Sequence, residues 1–268
     1  MKEITADIFD DDLSMDFDDS ASIIFGEDDM EAGDTGDFDD IRKDDLFTFG
    51  EHRLLCGDSR LASDVERVLQ GETPDAIFFD PPYEKDLDFC MGALLSGLRK
   101  MRSGNLLIMA SSKVMMEIYG LLKSIDSHII RFHYEIVWNR ITPSLSRLYS
   151  YPMIFHNLIH IYGVNGGYFE LSSRSAQSVT GYARLPSMIS LQKDTSLGGY
   201  NKPIGLMLCL MDSFCKSSCL DLFAGTGTTM SACELTGRRS FSIEYEPSKV
   251  KLILNRFRLT SDKTIEKL

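Results

Sequence analysis

No apolar run in the 268-residue chain approaches the ~20 residues that a bilayer-spanning helix needs. The N-terminus is acidic, which fits neither a secretory signal nor a transit peptide and leads us to expect a soluble intracellular protein. No two cysteines stand at Cys-x-x-Cys spacing, and only Cys56 has a histidine close by, the single His52, which argues against structural zinc. Cys56, Cys90, Cys209, Cys215, Cys219 and Cys233 read instead as reduced core thiols of a cytosolic compartment. No metal site is expected. Positive charge is also in short supply: 28 Lys and Arg face 40 Asp and Glu, a net charge of −12. Taken whole, that balance speaks against a partner as acidic as nucleic acid.

The charge is unevenly placed, however. Residues 1–45 hold 18 acids and 3 bases, leaving 22 acids and 25 bases for residues 46–268. The chain is therefore a strongly acidic segment attached to a mildly basic body. The acidic segment has low complexity and scattered apolar residues such as Phe17, Ile23 and Phe38, a composition expected to be disordered when free. Two roles stay open for it beside that of a solvated tail. It could dock a partner, or fold back over a basic DNA face and compete with phosphate.

The body, 46–268, is organised around Asp75-Ala-Ile-Phe-Phe-Asp-Pro-Pro-Tyr83. The apolar run reads as a short buried strand. Pro81 and Pro82 cannot extend a ladder, because each lacks an N–H and has φ fixed. The strand then ends by presenting the Asp80 carboxylate, proline carbonyls and the Tyr83 ring. The crevice outside strand carboxyl ends is where open α/β sheets bind ligands. An exocyclic amine on a nucleobase is a poor nucleophile, its lone pair delocalised into the ring. A carboxylate and a carbonyl aimed at its hydrogens would favour the pyramidal, nucleophilic geometry, and an aromatic ring could stack on a base extruded from its duplex. A plain strand-ending turn would use the same residues.

Along the chain, Leu46–Phe49 and Arg53–Cys56 are short apolar pieces. A helix follows with Ser63 and Glu66 at capping-box spacing. Strand 76–79, a helix over 87–101, strand 105–110 and a helix over 113–124 come next. Strands are expected at 129–138 and 156–162. The stretch 139–155 has no regular period, and 164–200 reads as a long loop. Lys202 to Cys215 is an amphipathic helix with Pro203 in its first turn. Strand 218–223, a helix over 228–236, strand 239–244 and a helix over 247–259 complete the chain. Such alternation predicts an α/β fold: a mostly parallel, doubly wound sheet with helices on both faces.

The segment Cys219-Leu-Asp-Leu-Phe-Ala-Gly-Thr-Gly-Thr-Thr229 is a strand, a glycine turn and a helix start. Glycines let the backbone approach a ligand, and a helix N-terminus favours a negative group. Glu244 ends the next strand, at the distance suited to ribose hydroxyls. Met230 stands where a dinucleotide fingerprint has its third glycine, and no Gly-Lys-Ser/Thr follows. A nucleoside bearing a carboxylate fits this turn better than a pyrophosphate.

Together the two motifs resemble the amino-group DNA methyltransferases that use S-adenosylmethionine. Asp80-Pro-Pro-Tyr83 matches their catalytic motif and Asp221-Leu-Phe-Ala-Gly-Thr-Gly227 their cofactor motif, in the order of the beta group. Leu54-Leu-Cys-Gly-Asp58, Asn201-Lys-Pro203, Thr236-Gly-Arg238 and Glu244-Tyr-Glu-Pro247 extend the likeness over residues 47–260. The resemblance implies a Rossmann-like methyltransferase domain that methylates the N6 amine of adenine in DNA, with N4 of cytosine as the near rival and a non-catalytic cofactor- or DNA-binding partner protein as the other alternative. It implies that Asp80 and the Pro81 carbonyl hold the target amine, with Pro82 in the same motif, and that Tyr83 stacks on the flipped base. Asp221, Phe223, Gly225, Gly227 and Thr228 would form the cofactor turn, and Glu244 would take the ribose. Asp58 would accept from the cofactor's adenine amine, with Lys202 and Pro203 completing the pocket. DNA contacts are expected from Arg140, Arg147, Tyr149, Arg174, Arg184 and Lys193, in a short target-recognition region over about 139–200. The same resemblance implies a homodimer. The chain departs from the pattern at His156-Asn157, where relatives often have His-Glu, and at Asn201, where they often have Gln.

Overall fold

The computed structural model describes Phe38 and residues 40–82, 85–125, 128–144, 153–193 and 201–268. Tyr83, Arg147, Tyr149 and most of the acidic segment lie outside the described residues. The first half contains β1 (Leu46–Phe49), β2 (His52–Cys56), α1 (Ala62–Leu69), β3 (Ala76–Phe79), α2 (Leu87–Leu98), β4 (Gly104–Met109) and α3 (Ser112–Ser124). Then come β5 (Ile130–Ser144), β6 (Ile154–Val164), α4 (Arg174–Thr180), β7 (Met188–Ser190) and α5 (Ile204–Phe214). The chain closes with β8 (Ser218–Asp221), α6 (Thr228–Leu235), β9 (Arg239–Glu244), α7 (Pro247–Thr260) and β10 (Ile265–Lys267).

The ten strands of the described residues join one sheet in the order β10-β1-β2-β9-β8-β3-β4-β6-β5-β7. Its centre, β2-β9-β8-β3-β4, is parallel throughout. Antiparallel pairs flank it: β6 against β4 and β5 on one side, and β1 against β2 and β10 on the other. Successive strand side chains face opposite ways, so each central strand feeds two cores. Ile77 and Phe79 pack with α1, α2 and α3 through Val65, Leu94 and Ile118. Ala76 and Phe78 face α5 and α6 through Leu210 and Cys233. Under α7, Phe47, Phe49 and Leu54 meet Val250 and Phe257. Helices therefore cover both faces, β3, β4 and β8 are buried along their length, and this burial explains why Ala76–Phe79 and Leu106–Met109 read as unbroken apolar runs.

Two backbone devices align the central strands. The Asp75 carboxylate accepts N–H bonds from Lys216 (2.7 Å), Ser217 (2.9 Å) and Ser218 (3.1 Å), pinning the start of β8 beside β3. Gly104 has φ 137°, and a Cβ there would lie 1.8 Å from the Asp75 carbonyl oxygen. Only glycine allows β4 to start this close to β3.

Several local expectations need correction. Ser63 does not cap α1: the N-cap is Leu61, with no side-chain cap bond. The acid one residue further on is used instead, since Asp64 accepts from the Asp58 N–H at 2.7 Å. Pro203 is the N-cap of α5 rather than part of its first turn. Within the supposed long loop 164–200 lie α4 and β7, and β7 pairs in parallel with β5 through Val137 and Met188. Core packing also reaches a few residues before 46. Phe38 is buried, its ring edge-on to Phe47 at 5.6 Å and covered by Arg258, and Ile41 packs on the same core.

Candidate active site

Because β2, β9, β8, β3 and β4 run parallel as neighbours, their carboxyl ends share one edge of the sheet. That edge carries Asp58 after β2, Glu244 at the end of β9, the glycine turn after β8, and Asp80 after β3. Phe78 pairs with Asp221 in the β3–β8 register, so Asp80 and the turn start within two residues of each other. The Phe79 ring lies 5.5 Å from Phe223, whose ring is in turn 5.9 Å from Phe89. The acid and the glycine turn thus open on the same side.

At Asp80 the carboxylate is divided. Oδ2 is ion-paired with the ammonium of Lys202, while Oδ1 is buried with no hydrogen-bond partner. A buried acceptor without a donor costs about 1–3 kcal/mol, which a ligand N–H would recover. Pro81 is buried and Pro82 exposed. The carbonyl of Pro82 is not free for a ligand, as expected of the proline carbonyls, because it accepts from the Lys85 N–H at 3.1 Å.

In the glycine turn, Gly225 and Gly227 adopt φ 58° and 79°, the left-handed region that favours glycine. Glu244 fixes the turn: one carboxylate oxygen accepts from the Gly225 N–H at 2.8 Å and the other from the Glu246 N–H at 3.0 Å. Burial pushes the Glu244 carboxyl up, against the pull of those two N–H groups. Asp221 is buried, and burial raises its carboxyl as well; the Thr229 hydroxyl, the Phe223 N–H and nearby Lys202 counter it. Thr228, the first residue of α6, is buried and accepts from Arg256 at 3.1 Å. Arg256 also donates to the Thr226 carbonyl at 3.0 Å, so α7 locks the turn from behind.

These residues fit a nucleoside carrying a carboxylate. A Cβ on Gly225 would stand in open space, with only the Phe223 carbonyl oxygen within reach at 3.8 Å. Glu244 supplies lone pairs for hydroxyls, and Phe223 a partly buried apolar surface. Asp58 is more occupied than expected. Arg60 binds both its oxygens, at 2.9 Å and 2.6 Å, and holds the carboxyl below its ordinary value. Arg60 also lies over the Phe89 ring, 4.7 Å from its centroid. Neither Arg60 nor Phe89 was singled out from the sequence; Arg60 stands two residues after Asp58 and reads there as an ordinary surface cation.

A cavity of about 690 Å³ adjoins the Asp80 end of this edge, with Lys202 in its wall. The rest of the wall comes from α3 (Met115, Tyr119), β5 (Glu135, Trp138, Arg140) and β6 (His156, Asn157, His160), with Lys193 at the side. Of the expected DNA contacts, Arg140 and Lys193 line this cavity, and burial and the nearby Arg140 charge both lower the Lys193 ammonium. Arg174 and Arg184 are exposed and are not part of its wall. The structure adds Glu135, Trp138 and His160, which the sequence reading passed over as strand residues. His160 and Glu135 meet at 3.1 Å across the β5–β6 pair. Among the described residues no cluster of three or more His, Cys, Asp or Glu is placed to hold a metal ion. No helix of the described residues is long and apolar enough to cross a membrane.

Residues 199–255, which include Lys202, the glycine turn and Glu244, match the family model of DNA methylases. No curated protein matches the chain by sequence. Among solved structures, M1.HpyAVI in complex with SAM is 19% identical, with a TM-score of 0.58 over 76% of this chain and 98% of that one. The cytosine-N4-specific PvuII DNA methyltransferase is 13% identical, with a TM-score of 0.63 over 78% of this chain and 87% of that one. The Thermus thermophilus protein TTHA0409 is 20% identical, with a TM-score of 0.53 over 79% of this chain and 97% of that one. The shared architecture is the Rossmann-like, mostly parallel sheet with helices on both faces.

Proposed function

We propose that the chain is a DNA methylase of the N6/N4 type, whose family model residues 199–255 match, and that it methylates the N6 amine of adenine in DNA. The observation that carries this reading is the buried, unpartnered Oδ1 of Asp80 beside a cavity and next to the glycine turn. An acceptor so placed is aimed at a donor hydrogen that arrives with the substrate.

Phe223, Gly225, Gly227 and Glu244 would hold S-adenosylmethionine, which would supply an electrophilic methyl group on a sulfonium. The amine nitrogen would take that methyl group, leaving a neutral thioether, and would release its proton to solvent. Asp80 Oδ1 accepts a hydrogen bond from the amine and orients its lone pair. Proximity and alignment supply much of the acceleration. The apolar and aromatic cavity wall receives the extruded base, with the Tyr83 ring as its stacking partner by resemblance. Arg140 and Lys193 at the cavity, and Arg174 and Arg184 elsewhere on the surface, pair with phosphates. By resemblance the active species is a homodimer, which light scattering of the pure protein tests by giving twice the mass of the 30.2 kDa chain.

N4 of cytosine is the second reading, because that amine presents the same hydrogens and the PvuII enzyme named for it shares this fold. Mass spectrometry of nucleosides from DNA of an expressing host separates the two. N6-methyladenine with the wild type and none with Asp80→Ala supports the adenine reading. N4-methylcytosine in its place supports the second, and neither base contradicts both.

A further inference from the structure

Lys202 stands between two carboxylates that belong to different parts of the site. Its ammonium is ion-paired with Oδ2 of Asp80 after β3, and the charge of Asp221 at the end of β8 acts on it as well. Both members of the pair are enclosed, with side chains 18% exposed for Lys202 and 9% for Asp80. Oδ1 of the same carboxylate has no partner. A carboxylate gripped at one oxygen cannot rotate freely, so the lone pairs of the other oxygen keep a fixed direction. Fixed direction is what an acceptor needs if it is to act without reorganising during the reaction.

We propose that Lys202 is a positioning residue: it clamps Oδ2 of Asp80 so that Oδ1 alone faces the target amine, and ties that carboxylate to the strand bearing the glycine turn. This deepens the proposed function and rests on Asp80 being the amine acceptor. It differs from the role the family resemblance implies for Lys202, that of completing the cofactor pocket.

The clamp has a pH dependence. Lys202 faces Asp80 and Asp221 on the sheet edge, and shares its cavity with Glu135 and Arg140 of β5, His156 and His160 of β6, and Lys193. Burial brings its ammonium down to about 8, against the pull of Asp221. Below that pH the ammonium is present and Asp80 is held; above it the proton is lost and the carboxylate is released. Methyl transfer therefore falls on the alkaline side.

The test compares wild type, Lys202→Met and Lys202→Arg in single-turnover methyl transfer across pH, with cofactor affinity measured separately by calorimetry. The wild type should show an alkaline limb near pH 8. Lys202→Met should lose about 100-fold in rate at neutral pH, lose the limb, and keep the cofactor dissociation constant. Lys202→Arg should retain more activity and shift the limb upward, since guanidinium keeps its proton. Weakened cofactor binding in Lys202→Met with rate and limb unchanged overturns the clamp. Should Lys202→Met not fold, Lys202→Arg decides, and an unmoved limb overturns it. A wild type that methylates no DNA fails the proposed function itself, whereas an active wild type with an indifferent Lys202→Met fails the clamp alone.

Discussion

At the scale of single residues, Gly225 shows how little the cofactor turn can tolerate. Its φ of 58° is costly for any side chain, and its N–H is committed to Glu244. A Cβ there would point into open space, the space a ligand needs. Gly225→Val should therefore cost about 1–3 kcal/mol in stability and weaken S-adenosylmethionine binding by about tenfold or more, one lost factor of ten being about 1.4 kcal/mol. Thermal unfolding and calorimetry check the two effects separately. The local geometry of such residues was legible in the sequence because it depends on close neighbours: Asp80 on two prolines, Gly225 on Phe223 and Gly227. Glu135, Trp138 and His160 were not, since only the antiparallel pairing of β5 and β6 brings them to the cavity. The same holds for the pairing of Lys202 with Asp80, which are 122 positions apart in the chain.

At the scale of elements, the carboxylate of Asp75 does what no helix contact does for β8. It takes three consecutive backbone N–H groups at the strand's start. Hydrogen bonds to a charged group contribute about 1.5–3 kcal/mol, so Asp75→Ala should lower unfolding stability by at least about that much. Urea denaturation gives the loss, and methyl transfer well below the melting temperature should survive. A second element-level device lies between β2 and α6. The buried His52 ring accepts the Ser240 N–H at 3.0 Å on Nδ1 and faces Glu234 at 2.8 Å through Nε2. Burial pushes this imidazole below its ordinary 6.5 despite Glu234. The unfolded chain then binds the proton more readily, so this contribution is whole above pH 6.5 and is lost as the pH falls below it. His52→Ala should flatten that acid-side slope in a series of urea titrations. Long elements were predictable from period and length, whereas α4, β7 and β10 were not. Seven residues of helix and three of strand carry too little period to stand out from Gly- and Ser-rich surroundings.

At the scale of the molecule, charge is divided between an acidic N-terminal segment and a body with 25 bases against 22 acids. Removing residues 1–37 leaves Phe38 and Ile41 on the α7 core, where they pack. The shortened protein should bind DNA more tightly than the full chain at low salt. The gap should close as salt rises, because charges beyond about 10 Å are screened at 0.1 M, and a salt series of binding isotherms measures it. The overall sheet and its parallel centre were readable from alternating strands and helices, and the burial of β3 from the apolar run Ala76–Phe79. Its flanks were not, since β5 and β6 join through pairings that local pattern does not specify.

The central claim is a division of labour along one edge of the sheet, with Asp80 acting on the amine and the glycine turn holding the cofactor. It is tested most directly by tritium transfer from labelled S-adenosylmethionine to plasmid DNA, wild type beside Asp80→Ala, with cofactor affinity measured on both. The account predicts that the substitution abolishes most of the label in DNA and leaves cofactor binding intact. Equal labelling by the two proteins would contradict it.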